Sequence, residues 1–143
     1  MKITQISVFL ENKKGRLYEV TSLLGENSIN IRALTIAESE DFGVLRMVVD
    51  KPDDAVKILK DKGFVSTITD IIAVEVEDKP GGLSDILKVI YESKINIEYM
   101  YAFVEKRSNK ALLVFRFDDI DGAIEILSKS GIRVLGKSEI ASM

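Results

Sequence analysis

Two short loops carry the residues whose types and spacing could bind a charged ligand. The segment "KKGR" spans residues 13–16 and "KPGG" spans residues 79–82, and each stands between an apolar segment and an amphipathic one. A loop that leads into a helix presents unpaired backbone N–H groups and the positive end of the helix dipole. Glycine lets a ligand approach that backbone closely. Such a loop is suited to an anion, either a carboxylate or a phosphate.

The residues around the second loop favour a zwitterion over a phosphate. The phosphate-binding patterns G-x-x-x-x-G-K-[ST] and G-x-G-x-x-G are missing from the sequence. Asp78, three residues before Gly81, would repel a dianion but would attract an ammonium group. We therefore expect an α-amino acid, with its carboxylate at the N–H groups of Gly81, Gly82 and Leu83 and its ammonium near Asp78.

The composition excludes several kinds of catalysis. The 143 residues include no histidine and no cysteine, which removes the usual general base, thiolate nucleophiles and the commonest metal ligands. An enzyme that uses carboxylate or lysine chemistry remains an alternative, but no convergent set of such groups is visible. We expect no catalytic residues, no metal and no cofactor.

Charge and hydropathy also limit the partners. The net charge is −3 and the basic residues are interspersed with acids, which argues against nucleic acid as a partner. No apolar segment approaches the roughly 20 residues needed to span a bilayer, and the N-terminus lacks the pattern of a signal peptide. We expect a cytoplasmic protein without a membrane partner.

The chain is a tandem repeat. An offset of 66 residues aligns Val8–Glu38 with Val74–Val104 with nine identities, including both loop glycines and both "INI" segments. Beyond a hairpin that is two residues longer in the second copy, the offset becomes 68 and aligns Asp50 with Asp118 and Gly63 with Gly131. We therefore expect two domain-sized units, residues 1–70 and 71–143, rather than a solenoid.

Each copy changes its hydrophobic period in the same order. "ITQISVFL" and "IIAVEVE" are β-branched and predict strands, and Leu83, Ile86, Leu87 and Ile90 share one helix face. The "INI" segments start hairpins that turn at "SEDFG" and "EKRSNK". Second helices follow and end at Gly63 and Gly131, and "FVSTITD" and "IRVLGKSEI" are the expected closing strands. The order predicts an α+β fold of two ferredoxin-like βαββαβ units, antiparallel sheets with both helices on one face, packed against each other.

These residues resemble the ACT domain, a small regulatory module of many amino-acid-metabolism enzymes. The family pattern is a strand, an N-x-P-G-type loop, a helix, and "[VI]NI" opening the second strand, with the asparagine fifteen residues after the glycine. Gly15 and Asn30 keep this spacing, as do Gly81 and Asn96. Unit one has Lys14 where the family favours proline. The resemblance covers nearly all of the chain and implies a stand-alone regulatory protein with two ACT units.

The resemblance implies an amino acid bound between paired ACT units, with a loop from one unit and the start of a second strand from its neighbour. By position, Asn12 and Asp78 would contact the polar groups of the ligand, and Asn30 and Asn96 would bond to it from the neighbouring unit. The expected ligand-binding residues are Asn12, Lys14, Gly15, Arg16, Leu17, Asn30 and Ile31 in unit one, and Asp78, Pro80, Gly81, Gly82, Leu83, Asn96 and Ile97 in unit two.

Other interpretations remain open. The glycines could serve only a tight turn, the asparagines could occupy the left-handed region at a strand start, and the "INI" isoleucines could be purely core. An RNA-binding module shares the element order, although Ala111 and Leu113 stand where bases would stack on aromatic residues. The main alternative is a protein-interaction subunit without a metabolite ligand. We expect a homodimer, because Tyr99–Phe103 form an apolar strand that would otherwise be exposed, and a regulated enzyme is a possible further partner.

Overall fold

The structure is a computed structural model that describes residues 1–105 and 109–143. The described chain divides into two compact units, one built around Thr4–Thr69 and the other around Asp70–Ala141, with Met1–Ile3 grouped with the second. We name these unit one and unit two. No helix among the described residues is long and apolar enough to cross a membrane.

Unit one is a four-stranded antiparallel sheet with two helices. Its strand order is β2-β3-β1-β4, the order of a ferredoxin-like βαββαβ unit. The elements are β1 (Ile3–Glu11), α1 (Arg16–Glu26), β2 (Ile31–Glu38), β3 (Phe42–Val49), α2 (Pro52–Asp61) and the beginning of β4 (Val65–Glu77).

Unit two has three strands in the order β4-β6-β5, which correspond to β1, β3 and β2 of unit one. Its elements are the later part of β4, α3 (Gly82–Glu92), β5 (Ile97–Ala102), β6 (Lys110–Phe117), α4 (Ile120–Lys129) and a short α5 (Lys137–Ala141). Residues 106–108 of the predicted "EKRSNK" turn lie outside the described residues.

Both helices of each unit cover the same face of its sheet. In unit one, Val20 and Leu24 of α1 and Ala55 and Leu59 of α2 join one buried cluster with alternate residues of β1 and β3. Unit two builds the equivalent cluster from α3, α4, β4 and β6, with Ile86, Ile90, Ala123, Leu127, Phe115 and Phe117 among its members. Burial of each large apolar side chain contributes about 1.5–3 kcal/mol relative to exposure. The predicted fold class is confirmed.

Two details of the predicted strands were wrong. "FVSTITD" and "IIAVEVE" form one continuous strand, β4, instead of two separate strands. The closing segment of unit two makes a single antiparallel bridge, Val74 to Val134, before residues 137–141 turn into α5. Here Arg133 pairs with Glu75 and Glu139, and Gly136 N–H donates to the Glu139 carboxylate. The two contacts of Glu139 lie within the segment and favour a helical turn over a longer strand.

Candidate functional site

The two loops fold alike around their glycines. Gly15 has φ 86° and Gly81 has φ 85°, both with ψ −10°, in the left-handed region that only glycine adopts without strain. Each loop is tied to the hairpin of its own unit, because Asn12 N–H donates to the Asp41 carbonyl at 2.9 Å and Asp78 N–H donates to the Asn109 carbonyl at 3.1 Å. The glycines therefore do serve a tight turn, which leaves a ligand-binding role open.

Helices α1 and α3 begin without a side-chain cap, whereas α4 has one. The Asp119 carboxylate accepts a hydrogen bond from Gly122 N–H at 3.0 Å at the start of α4. No described residue accepts a hydrogen bond from the N–H groups of Gly81, Leu83 or Ser84 at α3, or from those of Gly15, Leu17 and Tyr18 at α1. The N–H of Gly82 is used, since it donates to the Lys79 carbonyl at 3.0 Å. Each loop therefore presents a group of backbone donors at the positive end of a helix dipole.

The residue after the left-handed glycine differs between the loops. Gly82 is buried so close to the end of β4 that a Cβ atom there would lie 2.0 Å from the Glu77 carbonyl oxygen. The equivalent Arg16 extends its guanidinium to the carboxylates of Glu19 at 3.0 Å and Glu11 at 3.7 Å. The loop of unit two thus has bare backbone where the loop of unit one carries an ion-paired side chain.

A glutamate ends the strand before each loop and is ion-paired. A hydrogen bond from Lys13 at 2.8 Å lowers the pKa of Glu11 below its ordinary value, and Arg16 adds to the effect. In unit two, a hydrogen bond from Lys110 across the sheet lowers the pKa of Glu77. Both carboxylates stay ionised at neutral pH and already have partners. Asp78, the acid expected to meet the ligand ammonium, is exposed beside Glu77.

The backbone groups of Asn30 and Asn96 are hydrogen-bonded, whereas their side chains are exposed. Asn30 N–H donates to the Asp50 carboxylate at 2.9 Å, and Asp50 N–H donates back to the Asn30 carbonyl at 3.1 Å. Asn96 makes the same pair with Asp118, at 3.0 and 3.2 Å. The left-handed residues near these strand starts are Ser28 and Lys94, with φ 58° and 60°, so the interpretation that the asparagines are left-handed was wrong. Each amide can donate and accept at once.

The loop and the asparagine of one unit lie at opposite ends of its sheet. Glu11 pairs with Phe42 at the start of β3, whereas Ile31 pairs with Val49 at its end. Seven residue steps along β3 separate these two ends, which is roughly 23 Å in an extended strand. Unit two repeats this geometry along β6, from Lys110 to Phe117. One unit alone cannot place its own loop and its own asparagine on a single amino acid.

The remaining predicted site residues divide into exposed and core-packed ones. Leu83, in the first turn of α3, is exposed although its spacing predicted the core face, and the equivalent Leu17 in α1 is exposed as well. Ile31 and Ile97 are half-buried against the cores of their own units. The Asn12 amide donates to the Glu40 carbonyl at 3.2 Å. Lys14 and Pro80 are exposed.

Sequence reasoning missed the residues that position the site. Asp50 and Asp118 fix the backbone of the two asparagines, and Ser84 Oγ donates to the Gly81 carbonyl at 3.0 Å. The signal for the two aspartates was visible, because they coincide when the repeat is aligned. No group of histidine, cysteine, aspartate or glutamate within the described part of the chain could hold a metal ion.

The chain belongs to the family whose model is described as an ACT domain pair, which matches residues 1–143. It is also similar to a solved structure, protein BT0572 from Bacteroides thetaiotaomicron, with a TM-score of 0.93 and 41% identity over 100% of this chain and 98% of that one. The regulatory subunit of aspartate kinase from Thermus thermophilus shares the fold, with a TM-score of 0.63 and 14% identity over 88% of this chain and 91% of that chain.

Two curated relatives are similar over part of the sequence. The acetolactate synthase small subunit of Buchnera aphidicola is 29% identical over 101 residues, which are 69% of this chain and 60% of that protein. The acetolactate synthase small subunit of Haemophilus influenzae is 30% identical over 69 residues, which are 48% of this chain and 42% of that protein. The chain thus spans less than two thirds of the length of the curated relatives it matches.

Proposed function

We propose that this protein is an amino-acid-binding regulatory protein of amino-acid metabolism. The amino acid carboxylate binds at the N-terminus of α3, its ammonium group lies near Asp78, and the Asn96 amide of a neighbouring ACT unit bonds to both groups. The names of the similar proteins support the regulatory part, since they include subunits of acetolactate synthase and of aspartate kinase.

The observation that carries the proposal is the group of backbone donors at Gly81, Leu83 and Ser84, which have no acceptor among the described residues. The buried Gly82 keeps this helix start free of a side chain. A carboxylate is a good acceptor for such donors because the helix dipole also favours negative charge there. The exposed Leu83 stands next to these donors, where it can contact an apolar part of the ligand.

A second copy of the chain completes the site in this proposal. The loop and the asparagine of a unit lie at opposite ends of one sheet, so an antiparallel pair of units would bring the loop of one near the asparagine of the other. Strand β5 pairs with β6 alone among the described residues and is an edge strand, and edge strands can pair with another chain. We therefore propose a homodimer. Light scattering that finds only the 15.9 kDa chain at micromolar concentration would contradict it.

A protein-interaction subunit without a metabolite ligand is the second candidate. It is favoured by the similarity to acetolactate synthase small subunits, whose name denotes one part of a larger enzyme. In that case the exposed leucines and loops would contact a regulated enzyme, and no free amino acid would bind.

A thermal-shift panel of the twenty amino acids separates these two candidates. An amino acid at 100 times its dissociation constant should raise the free energy of unfolding by about 2.7 kcal/mol. The best ligand is then titrated calorimetrically into the parent protein and into the variants Asn96→Ala and Asp78→Asn, with Asn30→Ala as the equivalent change in unit one. We expect Asn96→Ala to weaken binding by about 1–3 kcal/mol because it leaves ligand groups unpaired.

Each outcome decides between the candidates. If no amino acid stabilises the protein, the interaction subunit is correct and the sensor proposal is wrong. If an amino acid binds to Asn96→Ala and Asp78→Asn as tightly as to the parent protein, the site lies elsewhere. A loss of affinity in Asn30→Ala alone would place the ligand at Asn30 instead of Asn96.

A further inference from the structure

Unit one contains a groove that shares only Arg16 with the predicted ligand-binding residues. Its volume is about 740 Å³, and it lies between α1, the end of β1 and the turn from α2 into β4. Leu10, Leu23 and Phe64 line its apolar interior, and three further aromatic residues stand around it: Phe9, Tyr18 and Phe42. Sites for small molecules typically measure roughly 300–1,000 Å³ and have mostly apolar and aromatic walls with a few polar groups.

The repeat shows that the fold does not need these aromatic residues. The positions equivalent to Phe9, Tyr18, Phe42 and Phe64 are Glu75, Ser84, Lys110 and Ile132 in unit two. There, Arg133 stands at the position of Val65 and pairs with Glu75. Polar residues thus replace three of the four aromatic ones in a unit of the same fold.

Three aromatic residues of the groove are exposed. Tyr18 is 74%, Phe42 58% and Phe9 44% exposed, so a substantial part of their apolar surface faces solvent. Burial of apolar surface by a ligand is favourable by roughly 25 cal/mol per Å². Aromatic walls also favour an aromatic ligand, because offset-stacked and edge-to-face ring pairs add to the burial.

The charges at the groove complement a zwitterion. Arg16 pairs with Glu11 and Glu19, and Lys13 also pairs with Glu11. Two other charged residues line the groove, Glu26 and Lys62. Neither the Glu26 carboxylate nor the Lys62 ammonium forms an ion pair with any described residue. Glu26 accepts only a long hydrogen bond from Ser22, at 3.4 Å. A ligand with one cationic and one anionic group would satisfy both.

We propose that the groove of unit one binds an α-amino acid with an aromatic side chain. The ring lies among Tyr18, Phe42 and Phe64, the carboxylate pairs with Lys62, and the ammonium pairs with Glu26. This site is separate from the loop of unit two, and it would make the protein a two-site binder if both sites are occupied.

Free tryptophan is a direct probe, because the chain itself contains none. Its fluorescence should shift to the blue on titration with the protein, and calorimetry with phenylalanine should give a matching one-site isotherm. The variants Tyr18→Ser and Phe42→Lys introduce the residues that unit two has at the equivalent positions. In Phe42→Lys the new lysine lies opposite Glu11, as Lys110 lies opposite Glu77 in unit two. Each should weaken binding about tenfold.

Matched variants separate the groove from the loop. Tyr91→Ala removes a similarly exposed tyrosine from α3 of unit two and should leave tryptophan binding unchanged, as should Lys60→Met. Lys62→Met should weaken the binding of 3-phenylpropanoate but not of phenethylamine, and Glu26→Gln should do the reverse. The proposal is overturned if neither tryptophan nor phenylalanine binds, or if Asn96→Ala abolishes binding while the groove variants retain it. The last outcome would leave the proposed site at the loop of unit two intact.

Discussion

The two loops show how one fold supports two different surfaces. Both units place a left-handed glycine before an uncapped helix and hold an asparagine at the opposite end of the sheet through an aspartate. Unit one then adds Arg16 with its two glutamates, whereas unit two has the buried Gly82. The shared features belong to the fold, and the differences decide which loop offers bare backbone to a ligand.

The same contrast extends along the adjoining helices. Unit one surrounds a groove with aromatic residues, and unit two has ion pairs of Arg133 with Glu75 and Glu139 in the equivalent region. A repeat gives each position an internal control, because both copies fold alike. Positions that differ in chemistry between the copies are therefore the best candidates for separate functions.

The largest expected effect is the difference in stability between a substitution at Gly82 and one at Arg16. Gly82→Ala should destabilise the protein by about 2–3 kcal/mol, because overpacking forces the backbone apart and the new Cβ would lie 2.0 Å from the Glu77 carbonyl oxygen. Arg16→Ala, at the equivalent position, should change the free energy of unfolding by less than about 1 kcal/mol, since exposed ion pairs contribute little. Urea unfolding followed by circular dichroism measures both variants.

Equal destabilisation by the two changes would contradict the difference between the loops. A further control is Gly15→Ala, which places no atom within 4 Å of the new Cβ but strains the left-handed backbone. Its effect of about 1 kcal/mol should fall between the other two.

A smaller difference in stability is expected between substitutions of the two aspartates that hydrogen-bond to the asparagine backbone. The Asp118 carboxylate accepts from Asn96 N–H at 3.0 Å and from Asp119 N–H at 2.8 Å, whereas the Asp50 carboxylate accepts from Asn30 N–H at 2.9 Å. Asp118→Ala should therefore cost about 1–2 kcal/mol and Asp50→Ala about 1 kcal/mol. Amide hydrogen exchange at Asn96 and Asn30 should accelerate in the corresponding variant, and unchanged exchange would show that these bonds are not formed in solution.

Periodicity predicted most of the fold, because hydrophobic spacing and the repeat constrain each other. The glycines that end α2 and α4, Gly63 and Gly131, have φ 82° and 75° as the C-terminal pattern indicates. The segment at residues 132–140 was misassigned because its β-branched start looks like a strand, while the turn at Gly136 and the pairing of Arg133 with Glu139 depend on neighbours that periodicity does not reveal.

The candidate site was partly visible in the sequence. Glycine and asparagine spacing indicated the loops and the strand starts, but no local pattern indicates that Lys110 pairs with Glu77 across the sheet or that the Gly82 N–H is already used. The exposure of Leu83 was also unexpected, because helical spacing assigns a residue to one face of a helix but does not show how far along the helix that face is buried.

The side-chain cap of α4 provides a further contrast with the uncapped starts of α1 and α3. Asp119→Ala should cost about 1 kcal/mol, the usual effect of removing an N-cap, because Gly122 N–H loses its acceptor at 3.0 Å. At α3, Ser84→Ala should have a smaller effect, since the Ser84 hydroxyl donates to the Gly81 carbonyl and caps no N–H. Thermal unfolding of both variants tests this order, and a larger loss in Ser84→Ala would contradict it.

The smallest expected effect concerns the glutamates that precede the loops. The pKa of Glu77 is lowered by Lys110, and the pKa of Glu11 is lowered by Lys13 and further by Arg16. Each pair therefore stabilises the fold above the ordinary glutamate pKa of 4.5, and this stabilisation is lost as the pH falls through the lower pKa of the folded state.

Carboxyl chemical shifts followed by NMR across the acidic range measure the pKa values of both glutamates. In Lys110→Met the pKa of Glu77 should no longer be lowered, because the desolvation that remains raises it and outweighs the weak effect of Lys79, whereas in Lys13→Met the pKa of Glu11 should rise less because Arg16 remains. Lys129→Met, which should raise only the pKa of Glu125, serves as the control. If Lys110→Met left the pKa of Glu77 unchanged, the cross-strand pair would not form in solution, and the two loops would differ less than their sequences indicate.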